Sequence, residues 1–218
     1  SNDFKLNLGA PLFCAGATTF NPIQRFIINN EQFKNKKINA AVCGIGGLGH
    51  VAIQFLSKLN CNVTGLTCSM NKKDLILELG AQNVIDMNNS EEIKKHADEF
   101  DFILNTLPVN KFFNELVRMC NYGGYLVQVG EADIKDSKYE FDAFQLVFKE
   151  LHICGSLVGT RKLIKEMIIF CEEHNVYPLV EEFSFEDFPK AFNRLEKERP
   201  KFRCVVNVGE FAKKNGWT

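Results

Sequence analysis

The 218-residue sequence predicts an α/β fold in which a doubly wound, six-stranded parallel sheet lies between two layers of helices, a three-layer α/β/α arrangement. Three observations point there. Short apolar runs alternate with longer segments of helical periodicity, a glycine cluster sits where the first run meets the first helix, and glycines punctuate element ends at Gly80 and Gly123-Gly124. The predicted strands are residues 40–45, 62–66, 83–85, 101–107, 124–129 and 152–157. Helical periodicity falls at 47–59, 72–79, 90–99, 109–120 and 161–174. Beyond these, EEFSFEDFPKAFNRLEKERP reads as a strand end and an amphipathic helix starting at Ser184, with Asp187 three positions later, and KFRCVVNV reads as a last strand. Right-handed crossovers would bring every strand C-terminus to one edge of the sheet, where ligand binds in such folds.

The first crossover carries the strongest local signal. Gly44, Gly46 and Gly49 stand in G-x-G-x-x-G spacing, with Ile45, Gly47 and Leu48 between them, after an apolar strand and before an amphipathic helix. Gly44 permits a tight turn, Gly46 lets the backbone approach a pyrophosphate, and Gly49 allows close packing of helix on strand. The helix start supplies free N–H groups and positive dipole to the same anion. This context favours a dinucleotide loop over a glycine-rich turn in a nucleotide-free α/β protein, and makes the expected fold Rossmann-type.

An acid normally follows such a loop by about 20 residues to hold the adenosine ribose. Here Ser69 stands twenty residues after Gly49, and residues 32–73 contain no Asp or Glu. A hydroxyl with Lys72 and Lys73 just past the second strand suits a 2'-phosphate through charge-assisted hydrogen bonds. The sequence therefore favours NADP over NAD. The alternative is that both lysines merely solvate a helix start, where positive charge opposes the helix dipole.

The totals narrow the class. With 45% hydrophobic residues and 20 Phe, one domain over residues 1–218 can bury a substantial core. A net charge of -1 argues against a nucleic-acid partner. No run approaches the roughly 18 apolar residues of a membrane span, and the first residues show no secretory pattern, so a cytoplasmic protein is expected. Eight cysteines without any C-x-x-C pair read as reduced thiols, not as a disulfide framework or structural zinc site.

Several motifs in order add a resemblance. APLFCAGATTFNP, GIGGLGHVAIQ, CSMNKK, LGAQNVID, GGYLVQVG and GSLVGT together resemble zinc-dependent medium-chain alcohol dehydrogenases, most closely their cinnamyl-alcohol-dehydrogenase-like branch. The resemblance implies hydride transfer between NADP(H) and a small alcohol or aldehyde, with the substrate oxygen polarised by a catalytic zinc. It implies a zinc-ligand role for Cys14 and a nicotinamide-side role for Thr18. It further implies cofactor contacts at Gly44, Gly46, Gly47, Leu48, Gly49, Thr106, Val129, Gly130, Ser156 and Val158, phosphate contacts at Ser69, Lys72 and Lys73, and a pyrophosphate contact at Arg203. Members of the family often dimerise through a sheet-edge strand, here HICGSLVG.

The departure from the family is that nothing in the chain matches its front catalytic domain, which brings the other zinc ligands. Segments 1–21 and 201–218 would abut that domain. Cys14 lacks a His or Cys neighbour, and His50, His96, His152 and His174 are scattered, so zinc is expected in the complete enzyme and not in this chain alone. Without the family, Cys14 reads as a small buried residue. Three functions stay open: the cofactor domain of an alcohol dehydrogenase that is inactive by itself, a non-catalytic NADP(H)-binding module, and a zinc-free quinone-reductase-like relative.

Overall fold

The computed structural model describes residues 6–131, 138–198 and 200–217; residues 1–5 and 218 of the flanking segments lie outside the described residues. Helix α1 (Leu6–Gly9) and a 3-10 turn lead into α2 (Ala15–Ile23). Then follow β1 (Ile38–Cys43), α3 (Gly49–Ser57), β2 (Cys61–Thr67), α4 (Lys73–Glu78), β3 (Asn83–Asp86), α5 (Ser90–Lys95) and β4 (Phe100–Asn105). The second half adds α6 (Phe113–Met119), β5 (Cys120–Gln128), α7 (Ala143–Phe148), β6 (His152–Gly155) and α8 (Arg161–His174). It ends with β7 (Val180–Ser184), α9 (Phe188–Asn193), β8 (Arg203–Asn207) and α10 (Gly209–Lys214).

Six strands form one parallel sheet, as the sequence predicts, in the order β3-β2-β1-β4-β5-β6 that characterises a Rossmann fold. Successive side chains of a strand point to opposite faces, and both faces are covered, so β1 is apolar and buried except at Asn39 near its start. Ala40, Val42, Phe102 and Leu104 face α2, α3, α4 and α8. Ala41, Cys43, Ile103 and Leu126 face α5, α6 and α7. A cluster of Phe20, Phe55 and Phe170, with ring centroids 5.1 to 5.8 Å apart, ties α2, α3 and α8 together. Strands β2 and β3 are added on one side of β1 and β4 to β6 on the other, and this switch leaves a crevice at the C-terminal ends of β1 and β4.

Local chemistry sets the element ends. Thr160 caps α8, its hydroxyl accepting from Leu163 N at 3.3 Å, and Asn175 in the left-handed region (φ 54°) closes it. Pro22 lacks the N–H that would reach the Thr18 carbonyl, and α2 continues as a π turn over Gln24–Ile28.

The structure corrects several boundaries. Ser184 is the last residue of β7 and not a helix start: its hydroxyl accepts from Asp187 N at 3.2 Å, and Asp187 is the cap before α9. The segment predicted as helix 90–99 ends at Lys95, leaving His96 as its C-cap beside Glu99. The predicted start of α4 at Lys72 belongs to a 3-10 turn, Met70–Lys72. Helices α2, α7 and α10 carry no assignment from sequence; in α7 the apolar residues Phe144, Val147 and Phe148 are exposed, so no buried stripe announces it. The last two strands pair in parallel with each other, outside the main sheet.

The sheet centre depends on large apolar side chains filling it. Replacing Phe102, fully buried mid-strand in β4, with Ala should cost about 3 to 5 kcal/mol through lost burial and a residual cavity. Urea unfolding should show a lower midpoint at unchanged slope; a cost below about 1 kcal/mol would contradict this packing.

Candidate functional site

The segments leaving β1, β2, β4 and β5 enclose a cleft of about 670 Å³ at the C-terminal edge of the sheet. Its floor is the turn from β1 into α3. Gly44 has φ +86°, a conformation open to glycine at little cost. A Cβ on Gly49 would stand 2.1 Å from the Gly44 carbonyl oxygen, so only a glycine lets the first turn of α3 close onto the strand. At Gly46 a Cβ would meet nothing within 4 Å, which leaves this backbone bare to the cleft.

The walls come from the neighbouring strand ends. Thr106, just after β4, directs its hydroxyl at the Gly44 carbonyl (2.6 Å) and braces the turn. Below it Asn105 donates to Gln128 (2.6 Å), whose amide donates to the Leu107 and Gly130 carbonyls (3.0 and 2.6 Å). This clamp joins the ends of β4 and β5 so closely that a Cβ on Gly130 would lie 2.4 Å from Leu107 O. From β2, Ser69 N donates to Thr67 Oγ1 (3.0 Å), turning the Ser69 segment into the cleft. Lys72 Nζ donates to Ile45 O at 3.2 Å, its ammonium 5.5 Å from the Phe202 ring centroid. Cys14 and Thr18 enter from the α2 side, and Val158 from the segment after β6.

Arg203 completes the floor. It opens β8, and its guanidinium lies where a Cβ on Gly47 would be, 2.3 Å from Cζ. Its Nε is buried without a hydrogen-bond partner. Burial lowers its pKa, while the nearby Cys14 sulfur acts the other way. An orphaned cationic N–H beside a bare glycine backbone and a helix N-terminus is the donor set an oxyanion requires.

Of the sequence-predicted residues, Gly49 lies beneath the loop, and Lys73 and Ser156 are off the cleft walls; the others all line it. Lys73 is exposed in the first turn of α4, next to Asp74. Ser156 extends the sheet, its N donating to Gln128 O at 3.1 Å. Sequence reasoning missed Thr67, Leu107, Asn105, Gln128 and Glu131. Their signal was position alone, at or just past strand C-termini. Glu131 is the one carboxylate lining the cleft among the described residues. Among the described residues no three His, Cys, Asp or Glu side chains gather where they could hold a metal ion; Cys14, exposed and not buried as its residue type alone suggests, lines the cleft together with Cys43 and Cys68. All eight cysteines are free. No helix among the described residues is long and apolar enough to cross a membrane.

His50, in the first turn of α3, is fully buried. Its Nδ1–H donates to Gly46 O (2.9 Å) and its Nε2 accepts from Leu179 N (3.1 Å), which fixes one neutral tautomer. Burial lowers its pKa to about 4, opposed by the Gly46 and Gly47 carbonyls and assisted by the Arg203 charge.

Comparison with known proteins places this geometry. A family profile described as zinc-binding dehydrogenase matches residues 47–173. The chain is 33% identical over 204 residues to a probable formaldehyde dehydrogenase of Bacillus subtilis, covering 94% of this chain and 56% of that one. Among solved structures it is similar to a cinnamyl alcohol dehydrogenase of Sorghum bicolor, with 28% identity, TM-score 0.83, and 93% of this chain and 56% of that one covered. It is likewise similar to the CAD of Helicobacter pylori complexed with NADP(H), with 28% identity, TM-score 0.75, and 91% and 54% covered. The chain thus spans little more than half the length of the relatives it matches.

The neutral His50 makes stability depend on pH. Its folded pKa lies below the ordinary value of 6.5, so the full contribution is present above pH 6.5 and is lost as pH falls towards about 4, because the unfolded chain binds a proton that the folded chain refuses. The loss over that window should be about 3 kcal/mol. Denaturant unfolding between pH 7.5 and 4.5 should show a flatter pH dependence for His50→Gln; parallel curves for the two proteins would refute the assignment.

Proposed function

The chain belongs to the zinc-binding dehydrogenase family, and on that premise we propose that its cleft holds NADP(H) in an alcohol dehydrogenase interconverting small alcohols and aldehydes by hydride transfer. One observation carries the reading: a bare glycine turn shares a cleft with Ser69, Lys72 and the orphaned Nε of Arg203, and no carboxylate stands at the end of β2. The likeness to a structure complexed with NADP(H) and to proteins named for formaldehyde and cinnamyl alcohol supports it.

The nicotinamide cofactor supplies the hydride when bound. The chain's residues bind and orient. Backbone N–H groups of the Gly46–Gly47 turn and the start of α3 face the pyrophosphate, with Arg203 adding charge from the tail. The Ser69 hydroxyl and the Lys72 ammonium hold the 2'-phosphate, with Lys73 a more distant contributor from outside the cleft. Thr106 braces the loop, while Val129, Gly130 and Val158 border the nicotinamide end and Thr18 faces it from α2. Cys14 would offer one thiol on that side to a catalytic zinc, whose other ligands the described residues do not supply. Pairing of two copies along the exposed edge strand β6 belongs to the same reading, since an unpaired edge presents free backbone donors and acceptors.

Lys72→Ala should weaken NADPH binding about tenfold, a charge-assisted hydrogen bond discounted for partial exposure, and leave NADH nearly unchanged. Lys73→Ala should have a smaller effect on both. Fluorescence titration of the reduced cofactors measures this. Equal losses for NADPH and NADH, or tighter binding of NADH by the parent protein, would defeat the NADP assignment.

A further inference from the structure

His50 does more than fill space. Its ring bridges the glycine turn and the tail of the chain through two directed hydrogen bonds, to Gly46 O at 2.9 Å and from Leu179 N at 3.1 Å. Its face stacks on Phe202, centroids 4.5 Å apart and planes 12° from parallel. Leu179 and Phe202 immediately precede Val180 and Arg203, which are paired residues of β7 and β8. One ring therefore grips both strands of the small sheet at their entry. One turn along α3, Gln54 repeats the grip: its amide donates to Tyr177 O at 3.0 Å and accepts from Tyr177 N at 3.4 Å. The small sheet shares no ladder with the main one, so side chains, not strand pairing, must set where Arg203 sits.

We propose that His50 is the positioning residue for the pyrophosphate end of the cleft, holding the Gly46 carbonyl away from the anion and delivering Arg203 against Gly47. The inference rests on reading the cleft as a dinucleotide site. Two features follow from it. The Gly46 carbonyl, which would repel a phosphate, accepts from both the His50 backbone N–H (3.1 Å) and the His50 ring. The Phe202 ring stacked on His50 also lies under the Lys72 ammonium, so one aromatic plate supports Lys72 and directly precedes Arg203 in the chain. Rotation or loss of the imidazole would free Phe202, and with it Arg203.

The test is a double-mutant cycle read by fluorescence titration of NADPH and NADH, with thermal unfolding of each variant as a control. His50→Phe keeps the stacked ring and loses both hydrogen bonds; it should weaken both cofactors about tenfold. His50→Gln, whose amide can donate and accept, should recover most of that loss. Arg203→Met should weaken both cofactors, and adding His50→Phe to it should cost about twofold or less, because the histidine acts through the arginine. A merely structural histidine would lower the unfolding temperature and give additive binding losses. Additive losses, a His50→Phe variant that binds as the parent does, or a His50→Gln variant no better than His50→Phe would overturn the proposal while leaving the cofactor reading intact. Binding of NADPH unaffected by Arg203→Met overturns it too. If His50→Phe does not fold, His50→Asn, too short to span both partners, takes its place in the cycle. A parent protein that binds neither cofactor overturns both the positioning role and the reading it rests on.

Discussion

The contact between the first turn of α3 and the Gly44 carbonyl is so close that any side chain at Gly49 would collide with backbone. Most of the site depends on that approach. With α3 held against β1, the bare Gly46–Gly47 backbone borders the cleft and His50 lies in the interior, within reach of Leu179 and Phe202. Were the helix to sit farther off, the bare backbone at Gly46, the buried imidazole and the arginine over Gly47 would lose their common geometry. Removing one side chain thus fixes the positions of several others, because a close-packed interior passes small displacements on.

The cleft is divided by charge. Lys72 and Arg203 occupy the side near the glycine turn, while Glu131 stands past β5. The basic side is supported by Phe202, and the other by the Asn105–Gln128 clamp that draws β4 and β5 together. The clamp joins buried Asn105 to half-buried Gln128 at two strand ends, and Phe202 is a buried ring just before β8, so both sides of the cleft rest on packed groups. Arg203 Nε is buried too, but its unmet hydrogen-bonding capacity faces the place where an anion would complete it.

The sequence showed the main sheet well because its strands are buried on both faces and read as apolar runs, and because the glycine spacing follows from local backbone needs. It showed less where burial and pattern part company. In α7 only Leu146 packs on the core while Phe144, Val147 and Phe148 stand in solvent, so no apolar stripe marks the helix. Ser184 and Asp187 have the spacing of a capping pair, yet they close the turn before the helix, since Phe188 and Pro189 begin it. Lys72 and Lys73 are indistinguishable in one dimension; the 3-10 turn rotates one toward the cleft and leaves the other on the surface.

The amino-acid order by itself determined the doubly wound sheet, the glycine turn and the absence of an acid after β2, because each depends on properties of residues near one another in the chain. The tertiary structure alone decided that Arg203 meets Gly47 and that His50 joins Gly46 to Leu179, residues separated by well over a hundred positions. Such meetings depend on how the tail folds back over α3, and that path is set by packing between surfaces which no local pattern records.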